Sequence, residues 1–292
     1  MHFASTVVRP PYEAGSAYLQ VTSGCSHNAC RFCTYYKDAR FAVSPESEVE
    51  GDLMEIASTG VKFPRIWLQG ADPFLLSYEK LMRIAGLVHR HLPFVKTIGG
   101  YGRVSSLRNK DAEQLRKLKD AGYSGIVFGV ESGDDDVLAF MNKGYQSSEI
   151  VAQLSKMDEA GLAYEMIYLC GLAGHGKGIR NARRSAEVFS RLHPDRILIA
   201  SLTIFPDTPL MADIRSGGFI EEGEGERISE MEEFIRGLEN DTLIDARNAS
   251  AIVSPYGRIP EHKEEMIAGL QSAYRLYGED GLRRMRRSLQ MI

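Results

Sequence analysis

Three of the four cysteines in this 292-residue chain, Cys25, Cys30 and Cys33, lie within nine consecutive positions. Such clustering indicates that the three sulfur atoms bind one ligand. A structural zinc site requires four protein ligands, whereas a [4Fe–4S] cluster on three cysteines leaves one iron open to an exogenous molecule. His27 or Cys170 would supply the fourth ligand of a zinc site. The loop alone therefore leaves an iron–sulfur cluster and a zinc site as alternatives.

The cysteine loop follows a predicted strand at residues 17–22, and five more predicted strands alternate with predicted helices. These strands are predicted at residues 65–69, 95–99, 125–130, 164–169 and 196–202. Successive strand–helix units form parallel sheets with right-handed crossovers. The chemistry of such folds lies in the loops after the strands, which is where the cysteines stand.

A C-x4-C-x2-C loop after a first strand, with Phe32 just before the last cysteine, resembles the radical S-adenosylmethionine (SAM) superfamily. The common spacing in that superfamily is C-x3-C-x2-C, so this chain has one residue more. The resemblance implies that Cys25, Cys30 and Cys33 hold a [4Fe–4S] cluster and that SAM chelates its open iron. It also implies that Phe32 lies against the adenine of SAM.

The second predicted strand ends in Gly70-Ala71-Asp72-Pro73, which resembles the Gly-Gly-Glu-Pro loop of the superfamily. Glycine allows a ligand to approach the backbone closely. The resemblance implies that the backbone of Gly70 and Ala71 and the acid of Asp72 hold the SAM amine. An ordinary turn at a strand end is the alternative interpretation.

The block from Gly129 to Gly144 resembles the oxygen-independent coproporphyrinogen oxidase/Elp3-like branch of the superfamily. The resemblance implies that Glu131 contacts the ribose of SAM and that Lys143 contacts its carboxylate. Charge-assisted hydrogen bonds suit both contacts. The alternatives are a helix cap for Glu131 and a solvated helix end for Lys143.

Two later segments resemble parts of the superfamily that lie beside the adenine. They are residues 171–174, with the sequence Gly-Leu-Ala-Gly, and the segment that begins at Phe205 and reads Phe-Pro-Asp-Thr-Pro-Leu. The resemblance places Phe205 among the SAM-binding residues.

Tyr101 and Arg103 follow the third predicted strand and are the candidate catalytic residues. Alternate residues of a strand face the same side, so the two side chains are predicted to share a face. A tyrosine can hydrogen-bond a substrate or relay a proton or a hydrogen atom. The guanidinium fork of Arg103 suits a carboxylate of the substrate or of SAM, with a salt bridge at the rim of the sheet as the alternative.

The resemblance implies an α/β fold, namely a partial six-stranded parallel (β/α)6 barrel with a small, mainly helical C-terminal extension. We expect a lead-in at residues 1–16, the barrel at 17–215 and the extension at 216–292. Within the extension the sequence predicts a strand and loop at 243–253, a turn at 255–260 and helices at 261–277 and 279–292.

Composition argues against several classes of protein. The net charge is −4, so no overall positive field favours nucleic acid or a membrane surface. The sequence contains no apolar run of about 18 residues, so it predicts no transmembrane helix. The first residues do not resemble a secretory signal. Four cysteines, three of them adjacent, do not form a disulfide framework. We therefore expect a cytoplasmic protein with an oxygen-sensitive cluster.

The resemblance implies that a reduced cluster cleaves SAM to a 5′-deoxyadenosyl radical, which abstracts hydrogen from a substrate. It further implies a one-electron reductant such as flavodoxin or ferredoxin. No second cysteine cluster follows Cys33, which argues against an auxiliary cluster and favours a small or medium substrate. A non-catalytic SAM- or heme-handling protein and a zinc-binding module are the alternatives.

Overall fold

The computed structural model describes residues 1–37 and 39–289. Within these residues the chain forms two compact units, and each is made of several chain segments. Unit one comprises Met1–Asn28, Tyr35–Gly129 and Ala152–Glu165, and unit two comprises Ala29–Thr34, Val130–Val151 and the chain from Met166 onward. The boundaries near residues 16 and 215 that the sequence suggested stay predictions.

The main sheet has eight strands in the order β1-β4-β5-β6-β7-β8-β9-β10, and β2 pairs with β3 in a separate ribbon. The pairs β1–β4, β4–β5, β5–β6 and β8–β9 are parallel, whereas β9 and β10 are antiparallel. The strands are β1 Ala17–Gln20, β2 Thr22–Ser23, β3 Ala42–Val43, β4 Arg65–Gln69, β5 Thr97–Gly102, β6 Tyr123–Glu131, β7 Tyr164–Cys170, β8 Arg196–Ser201, β9 Thr242–Asp245 and β10 Tyr256–Ile259.

Helices connect the strands, and their ends follow local sequence signals. Ser77 accepts a hydrogen bond from the backbone N–H of Lys80 at the start of α2, and Asp111 forms a capping box with Gln114 at the start of α3. The α-helices are α1 Glu46–Ser58, α2 Tyr78–His91, α3 Ala112–Asp120, α4 Asp135–Phe140, α5 Ser147–Ala160, α6 Gly178–Phe189, α7 Pro209–Arg215, α8 Glu224–Gly237 and α9 Lys263–Ser288.

In unit one the sheet has an apolar side and a side that carries polar groups. The register places Gln20 opposite Gln69 and Gly99 opposite Trp67. Since alternate residues share a side, Tyr101 lies on the side of Trp67 and Gln69. The opposite side carries Leu19, Ile66, Leu68 and Ile98, which are all buried. The alternation of side chains along the strands thus places the apolar core of unit one on one side of the sheet and the candidate functional residues on the other.

In unit two, α8 packs against both α6 and α9. Aromatic rings fill the space between these helices and β7. The ring of Phe234 stacks on Tyr168 with centroids 3.9 Å apart, and Phe189 meets Phe234 edge-on at 5.4 Å. This packing fixes the position of α8 on the end of β7.

The α/β class and the run of strands joined by helices confirm the fold expected from the sequence. The strand predicted within 243–253 is present as β9, which joins the main sheet, and the extension differs from the expectation because β10 adds a further strand beside it. The predicted turn at 255–260 is wrong, since Tyr256–Ile259 pairs with β9. Gly278, with φ +60°, interrupts α9 at the predicted break between two helices. The predicted end of the second helix at residue 292 lies outside the described residues.

The part of the chain that the structure describes contains no helix that is both long enough and apolar enough to cross a membrane.

The aromatic packing beneath α8 gives a stability prediction. Phe234 is fully buried, so Phe234→Ala should lower the free energy of unfolding by about 3–5 kcal/mol. Leu276 on α9 is 73% exposed, so Leu276→Ala should change it by less than about 0.5 kcal/mol. Urea denaturation measures both variants, and equal effects would contradict the packing described here.

Candidate active site

The first part of the cysteine loop is held within unit one. Gly24 has φ +64°, and a Cβ at this position would lie 2.7 Å from the backbone carbonyl of Arg40. Its own carbonyl accepts a hydrogen bond from the backbone N–H of Ala71 at 3.3 Å. The backbone N–H of Asn28 donates to Cys25 Sγ at 3.4 Å. Cys25 therefore has a fixed backbone and a donor directed at its sulfur.

The second part of the loop is held within unit two. The backbone N–H of Arg31 donates to the carbonyl of Met141 at 3.1 Å, and the carbonyl of Arg31 accepts from Leu210 N–H at 3.0 Å. The Arg31 guanidinium forms a two-pronged ion pair with Asp213, with Nε–Oδ2 at 2.9 Å and Nη2–Oδ1 at 2.5 Å. These contacts fix the segment that carries Cys30 and Cys33. All three cysteines of the loop are half-buried.

Asp72 lies in unit one with 0% of its side chain exposed. Both carboxylate oxygens accept from Ser106 Oγ at 2.7 Å, Oδ2 also accepts from Ser26 Oγ at 2.7 Å, and Oδ1 accepts from Arg103 N–H at 3.2 Å. Burial raises the pKa of Asp72 to about 6, although these donors and the Arg103 charge oppose the rise. The carboxylate thus presents no exposed oxygen to a ligand and instead binds the residue after Cys25.

Lys110 supports the same region and was not identified from the sequence. Its ammonium donates to the carbonyls of Phe74 at 2.8 Å and Ser106 at 3.3 Å. Burial lowers the pKa of Lys110 to about 8, while the charge of Asp72 opposes the fall. Lys110 therefore ties the segment after β4 to the segment that carries Ser106.

Glu131 and Lys143, the two residues expected to contact SAM, lie beside each other in unit two. Lys143 Nζ lies 3.6 Å from Glu131 Oε1, 5.8 Å from the ring centre of Phe32 and 5.7 Å from that of Tyr145. Lys143 is only 4% exposed, which excludes the solvated helix end. Burial raises the pKa of Glu131, and the charge of Lys143 opposes the rise.

The backbone at Glu131 is strained, because its φ is +74°. A bulky side chain in the left-handed region is rare, and such residues cluster at functional sites. Among the described residues, the other non-glycine residues with positive φ are Asn28, next to Cys25, and Asn142, next to Met141. All three therefore adjoin the cysteine loop or the predicted SAM contacts.

Phe32 packs on an apolar cluster in unit two. The buried members of this cluster are Val137, Met141, Leu169, Leu172, Ala173, Leu202, Leu210 and Phe219. Leu172, Ala173 and Leu210 come from the two segments expected beside the adenine. The structure thus brings Phe32 together with them on one apolar surface. Phe205 is half-buried, and its carbonyl accepts from the hydroxyl of Thr208 at 2.8 Å.

The polar side of the sheet in unit one carries the substrate candidates. The Tyr101 ring meets Trp67 edge-on with centroids 5.1 Å apart. Arg103 follows the end of β5, and its N–H binds Asp72. Gln69 is buried, and neither its amide oxygen nor its amide nitrogen has a partner among the described residues. Sequence reasoning missed Gln69, although a polar residue directly before Gly70 was a signal.

The comparisons with known proteins decide the family. The sequence profile of the radical SAM superfamily matches residues 19–176, which is more than half of the chain. The chain belongs to the radical SAM superfamily. The expected membership is therefore confirmed.

One curated relative and two solved structures are similar to this radical SAM protein. It is 24% identical to the heme chaperone HemW of Bacillus subtilis (strain 168) over 198 residues, covering 66% of this chain and 52% of HemW. Coproporphyrinogen III oxidase (HemN) from Escherichia coli superposes with a TM-score of 0.55 at 16% identity, covering 76% of this chain and 51% of HemN. Elp3 from Methanocaldococcus infernus gives 0.53 at 12% identity, covering 91% and 64%. This radical SAM protein spans about half the length of HemW.

The cofactors of the superfamily are a [4Fe–4S] cluster and SAM, and the residues of this chain fit them. Three half-buried thiols share one loop, and a backbone N–H already points at the sulfur of Cys25. The fourth cysteine, Cys170, is fully buried and contacts Glu230 at 3.2 Å. Three thiols on one loop, with Cys170 engaged elsewhere, match a cluster that has three cysteine ligands and one open iron.

The environment of Asp72 gives a prediction about the cysteine loop. Asp72→Ala would leave two hydroxyls and one N–H without an acceptor, at about 1–3 kcal/mol for each unsatisfied group. We expect this variant to bind clearly less iron after reconstitution. Asp72→Asn keeps the shape and an acceptor for Arg103 N–H, so it should retain most of the iron. If Asp72→Ala keeps its iron and loses only SAM affinity, Asp72 contacts the SAM amine directly.

The pair of Glu131 and Lys143 gives a prediction about SAM affinity. Lys143→Met removes the cation and should weaken SAM binding by about 1–3 kcal/mol, or roughly 5- to 150-fold. Calorimetric titration of the reconstituted protein measures the change. Lys117→Met is the matched control, because Lys117 is exposed and pairs with Glu113 one turn away. Equal SAM affinity in both variants would remove Lys143 from the SAM site.

Proposed function

We propose that this protein is a radical SAM enzyme whose Cys25, Cys30 and Cys33 hold a [4Fe–4S] cluster. When bound, the cluster and SAM supply a radical that takes a hydrogen atom from a substrate. The chain's own residues bind and orient SAM, hold the cysteine loop and receive the substrate. The proposed electron donor is a flavodoxin or ferredoxin, the proposed compartment is the cytoplasm, and nucleic acid and membrane are not proposed partners.

The arrangement of Lys143, Glu131 and Phe32 is the observation that carries this proposal. A buried ammonium and a half-buried carboxylate 3.6 Å apart, next to an aromatic ring, offer one group for each part of SAM. Lys143 would bind the carboxylate, Glu131 the ribose hydroxyls and Phe32 the adenine, with Phe205 on the same ligand. The strain at Glu131 supports a ligand contact rather than a purely structural role.

Gly70 and Ala71 are proposed to hold the SAM amine through their backbone. Gly70 has φ +119°, and a Cβ there would lie 2.1 Å from Thr22 Oγ1, so only glycine fits. Since both oxygens of Asp72 accept protein hydrogen bonds, its proposed role is to position this segment and Ser26. Arg103 would bind a carboxylate of SAM or of the substrate.

Gln69 and Tyr101 support a substrate with polar groups. A buried amide without hydrogen bonds costs about 1–3 kcal/mol, and a bound ligand would supply the missing partners of Gln69. The phenol of Tyr101 lies on the same side of the sheet and can orient a substrate or relay a hydrogen. These two residues define the proposed substrate side of unit one.

A non-catalytic SAM- or heme-handling protein is the second candidate, and the likeness to the heme chaperone HemW favours it. Such a protein would bind SAM or heme without consuming SAM. The two candidates therefore differ in whether 5′-deoxyadenosine forms.

The test measures 5′-deoxyadenosine after the anaerobic, reconstituted protein is reduced with SAM present. We expect the wild type to form it, Cys30→Ala to lose both iron and product, and Cys170→Ser to keep both. Tyr101→Phe should keep SAM binding and slow uncoupled cleavage, and lose any increase caused by substrate. Full iron and SAM binding without 5′-deoxyadenosine would reject the enzyme and favour the second candidate.

A further inference from the structure

Three buried side chains with metal-binding atoms lie together in unit two, and the proposed reaction uses none of them. Cys170 ends β7, Glu222 precedes α8, and Glu230 lies within α8. One ligand atom from each lies within 4.8 Å of the other two. Cys170 and Glu230 are 0% exposed and Glu222 is 5% exposed.

The Glu230 carboxylate is held by donors in one orientation. Its Oε1 accepts from Tyr168 Oη at 2.6 Å and from Asn181 Nδ2 at 2.8 Å. Its Oε2 accepts from Gly171 N–H at 2.6 Å and lies 3.2 Å from Cys170 Sγ. Hydrogen-bonded carboxylates of this kind are typical of metal ligands that outer groups orient.

Glu222 has no such donors. Within the described part of the chain, neither of its carboxylate oxygens accepts a hydrogen bond. Its neighbour is the buried acid Glu230, and the ligand atoms of the two residues lie within 4.8 Å of each other. The nearby guanidinium of Arg227 is engaged elsewhere, with Nη1 on the carbonyl of Leu202 at 3.1 Å and Nη2 on Glu221 at 2.7 Å.

Two adjacent buried acids need positive charge between them, and a proton or a cation can provide it. The fold leaves room for Glu222 at this point because residue 178 is glycine. A Cβ on Gly178 would lie 2.6 Å from Glu222 Oε1. The carboxylate therefore occupies a place that larger residues at position 178 would block.

We propose that Cys170, Glu222 and Glu230 bind a divalent transition metal ion, and that Zn²⁺ suits this set of ligands. A thiolate favours zinc over magnesium or calcium, and zinc accepts carboxylate oxygens as further ligands. Uptake exchanges one divalent cation for two protons, one from the thiol and one shared by the acids.

Such an ion would join the end of β7 to α8. Leu169 and Leu172, which flank Cys170 and Gly171, belong to the apolar cluster under Phe32. The proposed ion is therefore structural and would fix the backbone that supports this cluster. It is separate from the iron–sulfur cluster and does not depend on the proposed reaction.

The test loads the anaerobic, cluster-containing protein with Zn²⁺, removes the excess and measures iron and zinc together. We expect about one zinc per chain beside the iron of the cluster. Zinc K-edge X-ray absorption should show one sulfur neighbour at about 2.3 Å and oxygen neighbours at about 2.0–2.2 Å.

Glu222→Gln and Cys170→Ser are the informative variants, because both are close in size to the native residue. Each should lose zinc affinity by more than the roughly 10- to 100-fold that loss of an outer hydrogen-bond partner causes. Each should keep the iron of the wild type, which shows that the variant is folded. Zinc should raise the melting temperature of the wild type but not that of Glu222→Gln.

Three results would overturn the proposal. Zinc is not retained by the wild type, or both variants retain it as the wild type does, or the absorption spectrum shows three sulfur neighbours. The last result would place zinc on the loop cysteines. Cys33→Ala serves as the control, because its zinc content should equal that of the wild type while its iron is lost.

Discussion

A loop without regular secondary structure has to hold three thiol groups in fixed positions, and the rest of the site depends on this constraint. The loop cannot satisfy its own backbone groups as a helix or a sheet does. Within unit one, Ala71 N–H and the Asp72 carboxylate bind Gly24 and Ser26. Within unit two, Met141 and Leu210 bind the backbone of Arg31. The turn after β4, the end of α4 and the start of α7 thus supply hydrogen bonds that the cysteine loop lacks.

Two carboxylates near the cysteine loop, those of Asp72 and Glu131, are shielded from water. Their negative charges are compensated in different ways. The Asp72 carboxylate accepts hydrogen bonds from two serine hydroxyls and one backbone N–H. Glu131 instead pairs with the ammonium of Lys143, with Nζ 3.6 Å from Oε1. The two carboxylates near the loop therefore differ in how their charge is compensated.

The sequence predicted what depends on local pattern or on motifs. The strand at 65–69 and the break at Gly278 agree with the structure. Contacts between distant residues were not predictable. Ser26 and Asp72 are 46 positions apart, Cys170 and Glu230 are 60 apart, and no local signal links them. β10 was missed because its pairing with β9, rather than its short sequence, makes it a strand.

Electron paramagnetic resonance of the reduced protein, with and without SAM, tests the central claim most directly. If SAM binds the open iron of a cluster on Cys25, Cys30 and Cys33, its addition must change the signal of the reduced cluster. Lys143→Met should need more SAM for the same change, because a SAM contact is lost. A cluster signal that saturating SAM leaves unchanged, or a protein that binds no iron after reconstitution, would contradict the account.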